Sequence, residues 1–120
     1  MSEWRVKKGN TSVQDILVRD SNEDIVTNLA TATAISFQIK TNKSDLVPLI
    51  SKSLISGIEV DTPTTGYLRI TLLPSETAIP VGKYFMGLQI TWSASLIWEV
   101  IIEIENVETD TFRIRSEIVL

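Results

Sequence analysis

Glu99, Glu103 and Glu105 are the residues whose type and spacing come nearest to doing chemistry in this chain. They share one face of an alternating stretch, and two carboxylates roughly 5 to 9 Å apart can run acid–base chemistry on a sugar. Nothing around them predicts a pocket, and alternating glutamates are the ordinary solvated face of a strand. Asp20, Asn22 and Asp24 begin like the D-x-N-x-D of a calcium loop. That motif then needs a turn glycine and a bidentate glutamate, and the chain has Ile25 and Thr31 there. A polar hairpin turn accounts for the triplet. Ser12, Ser51, Ser53, Ser56, Ser75, Ser93, Ser95 and Ser116 lack the flanking glycines of a nucleophile elbow. The five glycines form no phosphate-cradling loop.

Composition excludes further classes. The chain has no Cys and no His, which rules out disulfides, thiolate metal sites, cysteine nucleophiles and imidazole bases. The lack of Cys fits synthesis in a reducing cytoplasm. The net charge is −4, and the eleven basic residues are scattered, with only Lys7 and Lys8 adjacent. Binding along a nucleic-acid backbone needs clustered Lys and Arg, so no nucleic-acid partner is expected. No apolar run approaches the roughly 18 to 20 residues of a membrane helix. The first residues, Met1 to Lys8, hold no apolar stretch suited to a signal peptide. The sequons at Asn10 and Asn42 therefore read as chance matches. The expectation is a protein with no catalytic residues, no cofactor and no metal.

The elements that carry these residues follow from a period of two, the mark of half-buried strands. Trp4 and Val6 alternate with Glu3, Arg5 and Lys7; Ile35, Phe37 and Ile39 with Ser36, Gln38 and Lys40; Leu68, Ile70 and Leu72 with Tyr67, Arg69 and Thr71. The longest signal is a hairpin, with Tyr84, Met86, Leu88, Ile90 and Trp92 on one arm and Leu96, Trp98, Val100, Ile102 and Ile104 on the other. A loop of Ser93, Ala94 and Ser95 would set Trp92 opposite Leu96, Ile90 opposite Trp98 and Leu88 opposite Val100. Continuing outward, Met86 would face Ile102 and Tyr84 would face Ile104. On the other face, Gln89 would meet Glu99 and Gly87 would meet Ile101. Strands are also expected near Leu46 to Ile50 and near Ile58 to Asp61. Gly66 suits a positive-φ turn. Pro74 opens one helical turn near residues 75–79 and Pro80 stops it.

The fold class expected is all-β, an immunoglobulin-like antiparallel β-sandwich of about seven to nine strands. Residues 1–110 form the sandwich, and residues 111–120 form a C-terminal strand or arm of the same domain. In that last stretch Phe112, Ile114, Ile118 and Leu120 share one face and Arg113, Arg115 and Glu117 the other. Two readings stay open: a last strand closing a sheet, or an arm packing on a neighbouring subunit. On the second, Trp4, Phe112, Arg113, Ile114, Arg115, Ile118 and Leu120 form the assembly interface. Trp4, Trp92 and Trp98 are expected to fill the core, the alternative being a surface platform for a sugar or partner.

The segment Leu72 to Tyr84, with its helical turn and Pro80-x-Gly82-x-Tyr84 entry into a long strand, resembles a pattern of tailed-bacteriophage virion proteins. So do Asp20 through Leu29, the alternating stretch Ala34 to Ile39, and Gly66-Tyr67-Leu68. The resemblance spans roughly residues 5–108 and implies the immunoglobulin-like sandwich of phage baseplate upper proteins and of related tail and capsid-decorating modules. The usual glycine of the first hairpin is replaced within Ser21-Asn22-Glu23, and asparagine tolerates that backbone. No receptor-binding or stalk region accompanies these residues, so the host-recognition role of longer relatives is not carried over. The resemblance implies a non-enzymatic virion structural protein of the tail or baseplate, made in the bacterial cytoplasm. It would be present in repeated copies or as a homo-oligomer, bound to other virion proteins. A capsid-decorating cement protein is the alternative, and a carbohydrate-binding module using Tyr67, Phe85 and Trp4 is a second.

Overall fold

Alternating apolar residues leave each segment one face to bury, and the chain satisfies them all against a single interior. The computed structural model describes residues 3–20, 22, 24–27, 29–54, 56–62, 66–93, 96–104 and 107–115. The fold is all-β. Its strands are β1 (Trp4–Lys7), β2 (Ser12–Arg19), β3 (Ala34–Lys40), β4 (Ile50–Leu54), β5 (Gly57–Thr62), β6 (Tyr67–Leu72), β7 (Gly82–Ser93), β8 (Leu96–Ile104), β9 (Val107–Glu108) and β10 (Thr111–Arg115). The expected helical turn is α1 (Pro74–Thr77), and a 3-10 turn covers Leu29–Thr31.

All ten strands belong to one hydrogen-bonded sheet, in the order β1-β10-β7-β3-β4-β5-β6-β2-β8-β9. A further pairing of β7 with β8 closes the run from β7 to β8 into a barrel-like ring. The β1–β10 and β4–β5 pairs are parallel and the others antiparallel. The layers are therefore parts of one mixed sheet. The β4–β5 junction is narrow: only Ser53 opposite Gly57 and Leu54 opposite Ile58.

Phe37, Phe112, Ile16, Ile58, Ile70, Leu72, Ile90 and Ile114 are fully buried in one apolar cluster that draws on β1 to β8 and β10. Trp4 joins it, 5.5 Å from the Phe112 ring in an edge-to-face arrangement and 5.9 Å from Phe37. The expected core role of Trp4 is thus met, Trp92 is half-buried against the same cluster, and the Trp98 side chain lies outside the described residues. Gly66 takes φ +77°, and a Cβ there would meet Ile25 Cγ2 at 2.7 Å, so this tight turn requires glycine.

The hairpin follows the expected register at its centre: Leu88 opposite Val100, Gln89 opposite Glu99, Ile90 opposite Trp98. Two parts differ. Near the turn a bulge between Thr91 and Ser93 places Ser93, in place of Trp92, opposite Leu96. Beyond Leu88 the arms separate, so the expected Met86–Ile102, Tyr84–Ile104 and Gly87–Ile101 pairs do not form. Instead Ile102 pairs with Val18 of β2, while Tyr84 faces Phe112 of β10. A long ribbon twists strongly, and closing a sheet on itself obliges its far end to find other neighbours.

The expected strand at Leu46 to Ile50 is a correction. Residues 46–49 are an exposed loop, and the strand starts at Ile50. Its inward positions are Ile50, Lys52 and Leu54, and the lysine hides the alternation from a reading of hydropathy alone.

Candidate functional site

Within the C-terminal stretch, residues 111–115 take the first of the two expected forms, a strand of the sheet. Strand β10 lies between β1 and β7, with Trp4 opposite Phe112 and Val6 opposite Ile114. Trp4, Phe112 and Ile114 are at most 2% exposed, so these three of the apolar residues expected to meet a neighbour are buried in this chain's own core. Arg113 turns outward and donates to Glu3 at 2.8 Å, a carboxylate that also accepts from Arg5 at 3.2 Å. The Arg113 guanidinium holds the Glu3 carboxyl below its ordinary range, against the opposing effect of burial. Arg115 is exposed; Ile118 and Leu120 lie outside the described residues.

Among the described residues the carboxylate candidates do not assemble a reactive group. Glu103 accepts from Arg19 at 2.8 Å across the β2–β8 pair, and the side chains of Glu99 and Glu105 lie outside the described residues. Asp20 Oδ1 accepts from the backbone N–H of Asn22 and of Asp24, at 2.9 and 3.1 Å. That carboxylate therefore organises its own turn. Among the described residues no cluster of three metal-ligating side chains occurs. No helix there is long and apolar enough to cross a membrane. The three aromatics that a carbohydrate-binding module would need in a row are dispersed: Trp4 is buried, Tyr67 is on β6 and Phe85 is on β7.

Two surface features remain. One is the β3–β4 loop, where Leu46, Val47 and Leu49 are 95%, 79% and 49% exposed. The other is a cleft of about 460 Å³ on the outer face of β3 and β7, at the place where β8 leaves β7 and β10 takes its position. Its floor is a grid set by register: Ser36 opposite Gln89, Gln38 opposite Gly87, Lys40 opposite Phe85. Lys43 and Asp110 close one side with an ion pair of 2.6 Å, and Val100 stands on the other. The Lys43 ammonium lies 5.1 Å from the centre of the Phe85 ring, and Lys83 lies 5.9 Å from it.

The Ser36 hydroxyl and the amides of Gln38 and Gln89 have no hydrogen-bond partner among the described residues, and Lys40 has no ion-pair partner there. The cleft thus offers donors and acceptors without partners among the described residues, the Lys40 ammonium, and the Phe85 ring with its two lysine neighbours. It can bind a polar molecule. The sequence carried one signal for it, the lone glycine in the middle of an alternating strand. Compared with family models, curated proteins and solved structures, the chain matches none.

A second hollow lies along the seam between β1 and β2, lined by Glu3, Trp4, Arg5, Ser12 and Gln14. Its polar groups are engaged: Trp4 Nε1 donates to Ser12 Oγ at 2.9 Å, and Glu3 holds both arginines. It reads as a structural joint.

Proposed function

We propose that this chain is a non-enzymatic structural module of a tailed-bacteriophage particle, docking to other virion proteins in the tail or baseplate in repeated copies. The single observation that carries a docking role is the β3–β4 loop. Three large apolar side chains within four residues stand in water. Covering such groups with a partner is favourable by roughly 25 cal/mol per Å² of apolar surface removed from water. Because Phe112 and Ile114 are buried, this reading puts docking on the loop in place of those two residues.

An immunoglobulin-like reading of the fold supports the resemblance. Strands β10-β7-β3-β4 succeed one another as G-F-C-C′ would, and β5-β6-β2 as D-E-B. On this reading β8 and β9 are an extra hairpin between strands F and G. Tyr84, at the start of the F-equivalent strand, donates its hydroxyl to the Pro80 carbonyl four residues upstream, as the tyrosine of a tyrosine corner does. The Pro80-x-Gly82-x-Tyr84 pattern thus has a physical role in the corner. Asp20 and Leu29, the ends of the other motif, cap a turn and fill the core.

The test is to seek the chain by mass spectrometry in purified tailed-phage particles and then to change Leu46 and Val47 together to Ser. The double variant is expected to keep its melting temperature and to be lost from particles. Absence of the native chain from every particle, or undiminished incorporation of the variant, would end this reading.

A further inference from the structure

We infer that the cleft around Gly87 binds an acidic saccharide, with one sugar ring lodged over Gly87 and against Phe85. Gly87 is the starting point. Glycine weakens a strand interior, and it persists there where the backbone turns or another group must come close. Here the backbone does not require it: Gly87 is not in the left-handed region, and a Cβ built on it would meet nothing within 4 Å. The missing side chain leaves an open notch between Phe85 and Gln89, which lie two residues away on the same face.

The groups around the notch match the parts of such a sugar. The Gln38 and Gln89 amides and the Ser36 hydroxyl are free to bond ring hydroxyls. The half-buried Phe85 ring offers an apolar surface to the C–H face of a sugar once the exposed Lys43 ammonium, 5.1 Å from the ring centre, swings to the ligand's carboxylate. Lys40 supplies unpaired positive charge, and Lys43, whose side chain is 65% exposed, can exchange the Asp110 carboxylate for that of the ligand. The volume of about 460 Å³ lies within the range of small-molecule sites. An acidic peptide strand fits less well. Peptides that add to a sheet need an unpaired edge, whereas the β3 and β7 backbones beneath the cleft pair with each other. At the rim the Met86 N–H already donates to the Asp110 carbonyl, at 2.8 Å.

The experiment titrates the full chain with a galacturonate tetramer, a neutral galactose tetramer and a glutamate tetrapeptide, followed by NMR shifts and calorimetry. The galacturonate tetramer should shift the amides of Gln38, Phe85, Gly87 and Gln89 and bind at least about tenfold more tightly than either control. Gly87→Val fills the notch with a residue suited to strands; it should keep the melting temperature and weaken binding by about tenfold or more. Gly87→Ala serves the same purpose should the valine variant fail to fold, with a smaller loss expected. Unchanged binding in a folded Gly87 variant, equal binding of the glutamate peptide, or no galacturonate binding would each overturn the proposal.

Discussion

The α1 turn and the cleft over Gly87 are both built from polar side chains on a β-scaffold, and they treat those side chains in opposite ways. At the turn, Lys52 points inward from β4 and its ammonium meets Glu76. The same carboxylate accepts the Leu73 N–H at 2.8 Å, holding the start of α1. Thr77, fully buried, donates to the Asn10 carbonyl at 2.7 Å, and Tyr84 donates to that of Pro80. One short segment thereby ties β4, the β1–β2 turn and the start of β7 together. In the cleft, Ser36, Gln38 and Gln89 have no partners among the described residues. Polar groups satisfied inside the chain specify a structure, whereas those left at a concave surface are available to a ligand.

The contrast can be broken most sharply at Lys52. Its ammonium is nearly enclosed, and removing it strands Glu76, whose side chain is only 24% exposed. Lys52→Ala is expected to lower stability by about 3 kcal/mol in urea unfolding, the usual cost of breaking an enclosed pair. Replacing both partners, as Met and Gln, should recover part of that loss. Recovery would show that the penalty comes from the stranded charge. A loss below about 0.5 kcal/mol for Lys52→Ala would mean that solvent screens the pair.

Tyr84→Phe removes one hydrogen bond and should cost about 1 kcal/mol at neutral pH. Burial raises the Tyr84 phenol above its ordinary value. Stability from such a group is complete below the unfolded-state value, near about 10, and is lost as pH rises through the folded-state value. The native chain should therefore lose its advantage over Tyr84→Phe as the solution is taken from neutral to strongly alkaline. Urea midpoints at both conditions measure this, and a gap that widens with pH contradicts it.

The smallest effect belongs to the cleft. Gln38→Ala is expected to change stability by no more than about 0.5 kcal/mol, as surface groups without partners do. A larger loss would show that the amide serves the fold and not a ligand.

Local pattern carried much of the architecture. Pro74 and Pro80 bracket the α1 turn, and the alternating runs identify β1, β3, β6, β7 and β8 and the centre of the β7–β8 register. These follow from side chains that point alternately inward and outward, a property each strand has on its own. β4 was obscured because Lys52 occupies an inward position, and only Glu76, distant in sequence, makes that position tenable.

What the chain's sequence determined by itself was an all-β protein without cysteine or histidine chemistry, with its turns placed by glycine, proline and aspartate. Tertiary structure decided which strands became neighbours. It put Phe112 and Ile114 in the core, parted the ends of β7 and β8, and brought Ser36, Gln38 and Gln89 around Gly87. Strand pairing joins residues far apart in the chain and depends on how twist closes the whole sheet, so no local pattern encodes it.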